Sequence, residues 1–187
     1  MRIIGGKAKG TKLYTLEGEN TRPTLDRVRE SLFNILQYKL QDCVFLDLFS
    51  GSGACGIEAV SRGAKKAILC DNSKQAIEII KKNVEKTHTK EQIEIYQTTF
   101  EKLLRTKIKE KLDIIYIDPP YQTDFANQAV KIILESNLSN EDSIIIIETD
   151  QEKRVKEQLD KIEEIEVMDE RKYGRVHLIF LSQKGKG

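Results

Sequence analysis

The 187-residue chain is predicted to be a doubly wound α/β protein with a mostly parallel, seven-stranded sheet, and three observations predict it. Five short apolar segments recur: Cys43 to Phe49, Lys66 to Asp71, Ile93 to Gln97, Leu112 to Asp118 and Ser143 to Glu148. Strands buried on both faces require such runs. Stretches of helical periodicity separate them, which makes the strands parallel and covers the sheet on both sides. Two of the runs end in turn chemistry, Phe49-Ser50-Gly51-Ser52-Gly53-Ala54-Cys55-Gly56 after the first and Asp118-Pro119-Pro120-Tyr121 after the fourth. In sheets of this kind ligands sit beyond the carboxyl ends of the strands.

The elements follow in order. Arg2 to Gly6 and Thr11 to Leu16 read as short strands of a hairpin around Lys7-Ala8-Lys9-Gly10. Thr24, just after Pro23, is a candidate N-cap for a helix with Val28, Leu32, Ile35 and Leu36 on its inner face. After the first buried strand, Ala54 to Arg62 opens as a helix from the glycine turn. Ser73 then caps a helix with Ala76, Ile77, Ile80 and Val84 turned inward. Near the end, Ile162 to Met168 and Arg175 to Ser182 read as two strands joined by a short polar turn, an antiparallel pair at the sheet edge. With no internal repeat and no low-complexity linker, the expected division is an N-terminal hairpin-and-helix extension over 1–40 and one domain over 41–187.

An apolar content of 39% supports a real core, and no run approaches the roughly 18 apolar residues of a membrane span. The expectation is a soluble, cytoplasmic monomer. Cys43, Cys55 and Cys70 are an odd set without ligand spacing, so they are expected to be reduced core residues, and no metal is expected. The net charge of +1 is unevenly spread: residues 1–30 carry +3, residues 171–187 carry +5 and the middle carries −7. Basic ends around an acidic body suit a protein that meets a polyanion through its termini.

Gly51, Gly53 and Gly56 match the spacing with which a nucleotide fold turns tightly from a strand into a helix and approaches a ligand. NAD is one possible ligand. Asp47 argues for another, because a carboxylate there repels a pyrophosphate but attracts an α-amino group, which S-adenosylmethionine carries. Asp71, ending the second strand, is placed to accept hydrogen bonds from ribose hydroxyls. Phe49 and Asn72 flank these positions and complete the candidate cofactor set at the first two strands.

Asp118-Pro119-Pro120-Tyr121 is the more specific signal. Two prolines stiffen the end of the strand and remove ladder donors. An exocyclic amine on a purine is a poor nucleophile because its lone pair is delocalised into the ring. A carboxylate from Asp118 and the Pro119 carbonyl can accept its two N–H bonds and leave the lone pair aimed at an electrophilic methyl, while Tyr121 offers a face for the base to stack on. This is the layout of an amino-methyltransferase. His88 and His177 lie in a polar loop and an apolar strand, and both read as structural.

Taken together, Arg2-Ile3-Ile4-Gly5-Gly6 with Lys9-Gly10, Thr21-Arg22-Pro23-Thr24 leading into Arg27-Val28-Arg29-Glu30-Ser31-Leu32-Phe33-Asn34, Leu46-Asp47-Leu48-Phe49-Ser50-Gly51-Ser52-Gly53, Asp118-Pro119-Pro120-Tyr121 and Tyr173-Gly174 resemble the RsmD family of bacterial guanine-N2 methyltransferases. The resemblance covers nearly the whole chain and implies a Rossmann-like fold. It implies methyl transfer from S-adenosylmethionine to N2 of one guanine in 16S rRNA of the small ribosomal subunit. It also implies that Asp47, Gly51, Gly53 and Asp71 hold the cofactor and that Asp118 and Tyr121 hold the base. Where such enzymes often carry an Asp-Ala pair near the adenine, this chain has Thr99-Phe100: a hydroxyl to bond the adenine amine and a ring to pack on it. Arg2, Lys7, Lys9, Lys12, Arg22, Arg27 and Arg29 would form the footprint on RNA, with Lys184 and Lys186 as weaker candidates and Arg22 closest to the site. Adenine-N6 or DNA methylation uses the same tetrapeptide chemistry and stays open, as does an RNA-binding assembly factor with a vestigial pocket. An NAD dehydrogenase is a more distant reading.

Overall fold

The computed structural model describes residues 1–16, 23–120 and 122–185, which divide into two units, Met1–Thr99 and Phe100–Gly187. In the first unit, three parallel strands, β1 (Val44–Asp47), β2 (Lys66–Asp71) and β3 (Ile93–Gln97), lie in the order β3-β2-β1. Val44 pairs with Lys66 and Ala67 with Ile93. Their apolar runs become the buried centre, with Phe45, Leu46, Ile68 and Leu69 excluded from solvent. Helix α2 (Ala54–Ser61) leaves the glycine turn, and α3 (Lys74–Lys86) begins at Ser73, whose hydroxyl accepts the Ala76 N–H at 3.3 Å. Ala76, Ile77, Ile80 and Val84 are buried, as their spacing predicts.

Three sequence expectations change in this unit. Helix α1 (Pro23–Leu36) begins at Pro23, so Thr24 lies within the helix instead of capping it. The helix buries Val28, Leu32 and Leu36, but Ile35 is 41% exposed and Phe33 takes its place, its ring stacked on that of Phe45 at 6.0 Å. The buried stripe is flanked by 29 and 33 rather than by 35, because the larger ring fills the space over β1. The expected N-terminal hairpin reduces to one antiparallel bridge, Arg2↔Lys12, with Ile3 N–H donating to the Thr11 carbonyl (3.0 Å) and Gly10 N–H to the Ile3 carbonyl (2.8 Å). Other polar backbone groups of this arm turn outward to side chains of α2 and α3, so a longer ladder does not form.

The second unit opens with the short α4 (Phe100–Lys102) and a wide turn, Leu103–Lys107. It contains β4 (Ile114–Ile117), α5 (Phe125–Glu135), β5 (Ile144–Thr149), α6 (Glu152–Leu159), β6 (Ile165–Tyr173) and β7 (Val176–Gln183). The strand order is β4-β5-β7-β6: β4 and β5 are parallel, and β7 runs antiparallel to both β5 and β6. The predicted edge pair is present, though β6 starts at Ile165 rather than Ile162, whose N–H instead closes the end of α6 on the Leu159 carbonyl (2.9 Å). The fold class is as predicted, an α/β protein with a seven-stranded, mostly parallel sheet and antiparallel edge strands. The three cysteines are free. No described helix is long and apolar enough to cross a membrane.

Candidate active site

The glycine turn is held from both sides. Gly51 (φ 54°) and Gly53 (φ 80°) adopt left-handed backbone that other residues rarely take. A Cβ on Gly56 would press into the Leu69 side chain, within 2.9 Å of Cγ, so this glycine lets α2 sit directly on β2. Asp71 bridges the two strand ends: one carboxylate oxygen accepts the Gly51 N–H (3.0 Å) and the other the Ser73 N–H (2.8 Å). Asp47, only 1% exposed, accepts the Gly56 N–H at 3.0 Å. Burial pushes its carboxyl from 3.8 up to about 7; the Gly56 bond opposes this, and the neighbouring Asp71 charge adds to it. Among the described residues no cationic side chain pairs with Asp47.

Of the other expected cofactor residues, Phe49 is half-buried, and Asn72 and Thr99 are exposed beyond the ends of β1, β2 and β3. Thr98 N–H bonds the Asp71 carbonyl (3.1 Å), which extends the ladder to the residue before Thr99. Phe100 belongs to the second unit. It is buried there, its ring 5.1 Å from that of Phe125, so its packing partner is α5.

The arm that carries most of the expected RNA-facing cations is anchored by residues that sequence reasoning did not single out. Glu58 on α2 is fully buried, and its two oxygens accept the N–H groups of Ile4 (2.8 Å) and Gly5 (2.7 Å) and the Arg62 guanidinium (2.7 Å). Ser61 donates to the Gly5 carbonyl (2.6 Å) and accepts the Ala8 N–H (2.9 Å). Asn83 on α3 clamps both backbone groups of Tyr14 and donates to the Ser52 carbonyl (2.9 Å), joining the arm to the glycine turn. The available signal was Glu58 itself, a carboxylate in the otherwise small and apolar Ala54–Ser61, which has to find donors once buried. Arg2, Lys7, Lys9, Lys12 and Arg27 are exposed. Arg29 departs from the expected RNA footprint: it is 5% exposed and donates to the Arg2 carbonyl and to Asp26 (3.1 Å), because α1 turns this flank toward the arm. Arg22 and Lys186 lie outside the described residues.

In the second unit, Asp118 and Pro119 follow β4 directly on the rim of a shallow, open cleft lined also by Asn127, Glu148, Thr149 and Arg154. The β4–β5 register ends at Ile117↔Ile147, where the prolines begin. The loop is closed by the Thr123 hydroxyl on the Pro120 carbonyl (2.9 Å) and by left-handed backbone at Gln122 (φ 63°). Tyr121, expected to stack on the base, lies outside the described residues. Glu148, also not anticipated, accepts the Tyr116 hydroxyl, and burial raises its carboxyl above the usual range while that bond opposes the rise. His177 bonds Glu170 at 3.0 Å; Lys156 bridges Glu170 (2.8 Å) and Glu152 (3.3 Å), a lattice that braces α6 on β6.

The family model described as conserved hypothetical protein 95 matches residues 1–182. Ribosomal RNA small subunit methyltransferase D of Haemophilus influenzae is 36% identical over 155 residues, spanning 82% of this chain and 80% of that protein. Its namesake in Escherichia coli is 32% identical over 152 residues, 81% of this chain and 76% of that protein. A solved methyltransferase structure from Escherichia coli superposes with a TM-score of 0.84 at 27% identity, covering 100% of this chain and 99% of that one. The N-terminal arm, the glycine turn and the Asp118 loop all fall within the matched span, and the chain belongs to the RsmD family of ribosomal RNA small subunit methyltransferases.

Proposed function

We propose that this chain transfers a methyl group from S-adenosylmethionine to the exocyclic N2 amine of one guanine in 16S rRNA of the small ribosomal subunit. The observation that carries the reading is Asp118-Pro119 on the rim of a cleft at the carboxyl end of β4, in a chain of this family. The buried, unneutralised Asp47 fits the cofactor, since a carboxyl held up near 7 by burial calls for a cation and the α-ammonium of S-adenosylmethionine is one. Gly51 and Gly53 allow close backbone approach, and Asp71 keeps lone pairs for ribose hydroxyls beyond its two backbone bonds. Phe49 and Asn72 complete the proposed cofactor set, and Thr99 is the proposed adenine contact, whereas Phe100 packs on α5 instead.

When bound, the cofactor supplies an electrophilic methyl on a sulfonium. Asp118 and the Pro119 carbonyl would accept the two N–H bonds of the guanine amine and leave the N2 lone pair free to meet that methyl. Asp118 would also be placed to take the proton that N2 gives up on methylation, the cofactor's sulfur leaving as the neutral thioether. Orientation and electrostatics supply the rate, because no covalent enzyme adduct is needed. Tyr121 stacks on the base. Arg2, Lys7, Lys9, Lys12 and Arg27, joined by Arg22, hold the rRNA backbone along the 1–40 extension, while Arg29 supports the arm from within.

The test is incubation with methyl-labelled cofactor and, separately, 16S rRNA, small ribosomal subunits and duplex DNA, followed by nucleoside analysis. N2-methylguanosine from the ribosomal substrates is expected. Label in N6-methyladenine, or in DNA alone, would overturn the reading.

A further inference from the structure

The cleft beside Asp118 holds a second carboxyl that the methyl-transfer chemistry leaves unused. Ile117 pairs in register with Ile147, so the next residues, Asp118 and Glu148, leave neighbouring parallel strands side by side, about 4.8 Å apart. Side-chain alternation puts both on the sheet face that carries Tyr116. The Tyr116 hydroxyl donates to Oε2 of Glu148 and fixes its rotamer, and among the described residues Oε1 accepts no hydrogen bond. A second acceptor in the same cleft is unmet. Asp124 can only accept, so it orients Gln158 with its amide nitrogen inward (3.1 Å); the Gln158 oxygen then takes the Asn127 amide nitrogen (2.7 Å). That relay leaves Asn127 Oδ1 without a partner although the residue is 5% exposed. Glu148 Oε1 and Asn127 Oδ1 are thus two open acceptors in the cleft lining, which suits a ligand edge that presents N–H groups.

Resting on the reading of this chain as a guanine-N2 methyltransferase, we infer that Glu148 is its specificity-determining residue, its free oxygen accepting the N1–H of the guanine whose N2 amine is held by Asp118 and Pro119. On guanine the N1–H and N2–H donors leave one edge together, which two adjacent carboxyls can span. Adenine presents a bare N1 lone pair at that edge and no amine at C2, so a carboxyl oxygen repels it. Tyr116 is a positioning residue in this scheme, acting through Glu148.

The experiment uses small subunits assembled from 16S rRNA carrying either guanine or 2,6-diaminopurine at the methylated position, found first by nucleoside mapping. Diaminopurine keeps the N2 amine but replaces N1–H by a lone pair. Wild type is expected to prefer guanine by about 100-fold or more in kcat/KM, because a site built around a hydrogen bond rejects the analogue lacking it. Glu148→Gln, with its amide oxygen held by Tyr116 and its NH₂ turned to the base, is expected to lose about 10- to 100-fold on guanine and to narrow the preference at least tenfold. Binding of S-adenosylhomocysteine should be unchanged. Tyr116→Phe should narrow the preference less, and it reads the same ratio if Glu148→Gln proves unfolded by its melting curve. A wild type that methylates guanine, with a preference unmoved in the folded variants, overturns the inference alone. A wild type that transfers nothing to guanine overturns the activity on which the inference rests.

Discussion

Replacing Glu58 by alanine should strip the N-terminal arm from the first unit, and the cost can be worked from its partners. The carboxylate accepts the Ile4 and Gly5 N–H groups and the Arg62 guanidinium, and its Oε2 lies 3.9 Å from Arg29 Nε. Hydrogen bonds to a charged group contribute about 1.5–3 kcal/mol each. Ile4 and Gly5 are half-buried, so water regains part of that on truncation, whereas Arg29 stays buried and, among the described residues, keeps only Asp26 as an acid partner. The expected loss is about 3–5 kcal/mol, the range for breaking a buried charged network from one side. For a chain of this length that corresponds to a fall in Tm of roughly 6–20 °C. Urea unfolding followed by far-UV circular dichroism measures the loss. Hydrogen exchange should show residues 3–13 losing protection ahead of β1 and β2, and Glu58→Gln, which keeps one acceptor, should lose about half as much. A loss below about 1 kcal/mol for Glu58→Ala, with the arm still protected, would refute the reasoning.

Gly6→Ala and Gly10→Ala form a matched pair, since both positions have positive φ (74° and 87°). A Cβ on Gly6 would collide with the Ser61 carbonyl, whereas Gly10 has nothing within 4 Å; calorimetry should give about 1–2 kcal/mol for Gly10→Ala from backbone strain alone and distinctly more for Gly6→Ala. Asp47 predicts a pH signature. Its folded carboxyl is raised from 3.8 to about 7, so its contribution to stability is fully present below about pH 3.8 and is lost as pH rises toward 7. Asp47→Asn should therefore gain stability relative to wild type between pH 5 and pH 8, by several kcal/mol at most, in paired urea titrations; an equal difference at both pH values would contradict the shift. If Asp47 holds the cofactor's amino group, calorimetric affinity for S-adenosylhomocysteine should rise over the same window in wild type and stay flat in Asp47→Asn.

Four of the five parallel strands were legible because a strand covered on both faces leaves an almost uninterrupted apolar run, and the Ser73 cap because its chemistry is local. The fifth, β3 at the sheet edge, was legible by its alternating Ile93-Glu94-Ile95-Tyr96-Gln97, of which Ile93 alone is buried. Helix α1 was legible as an amphipathic element but not in its exact facing, since Ile35 and Phe33 differ by two positions on one helix and only the space over β1 chooses between them. The arm was misjudged for a related reason. Its alternating residues suit a hairpin, yet its hydrogen bonds go to Glu58, Ser61 and Asn83, more than 50 residues away, and no local pattern encodes that. Arg29 and Glu148 show the same limit from the side of charge: composition counts an arginine as an RNA contact and a strand-end glutamate as a solvated one until the fold supplies their partners. The turn motifs were readable because glycine and proline act on their own backbone.

The most direct measurement of the central claim compares wild type with Asp118→Ala for methyl transfer to small ribosomal subunits and, in the same preparations, for S-adenosylhomocysteine binding by calorimetry. Wild type should deliver labelled N2-methylguanosine, and the variant should lose about 10²- to 10³-fold in turnover, the scale of removing one orienting group at a reacting centre. Its affinity for S-adenosylhomocysteine should stay within about threefold of wild type, a difference under 1 kcal/mol. Turnover near the wild-type rate in Asp118→Ala would contradict the account.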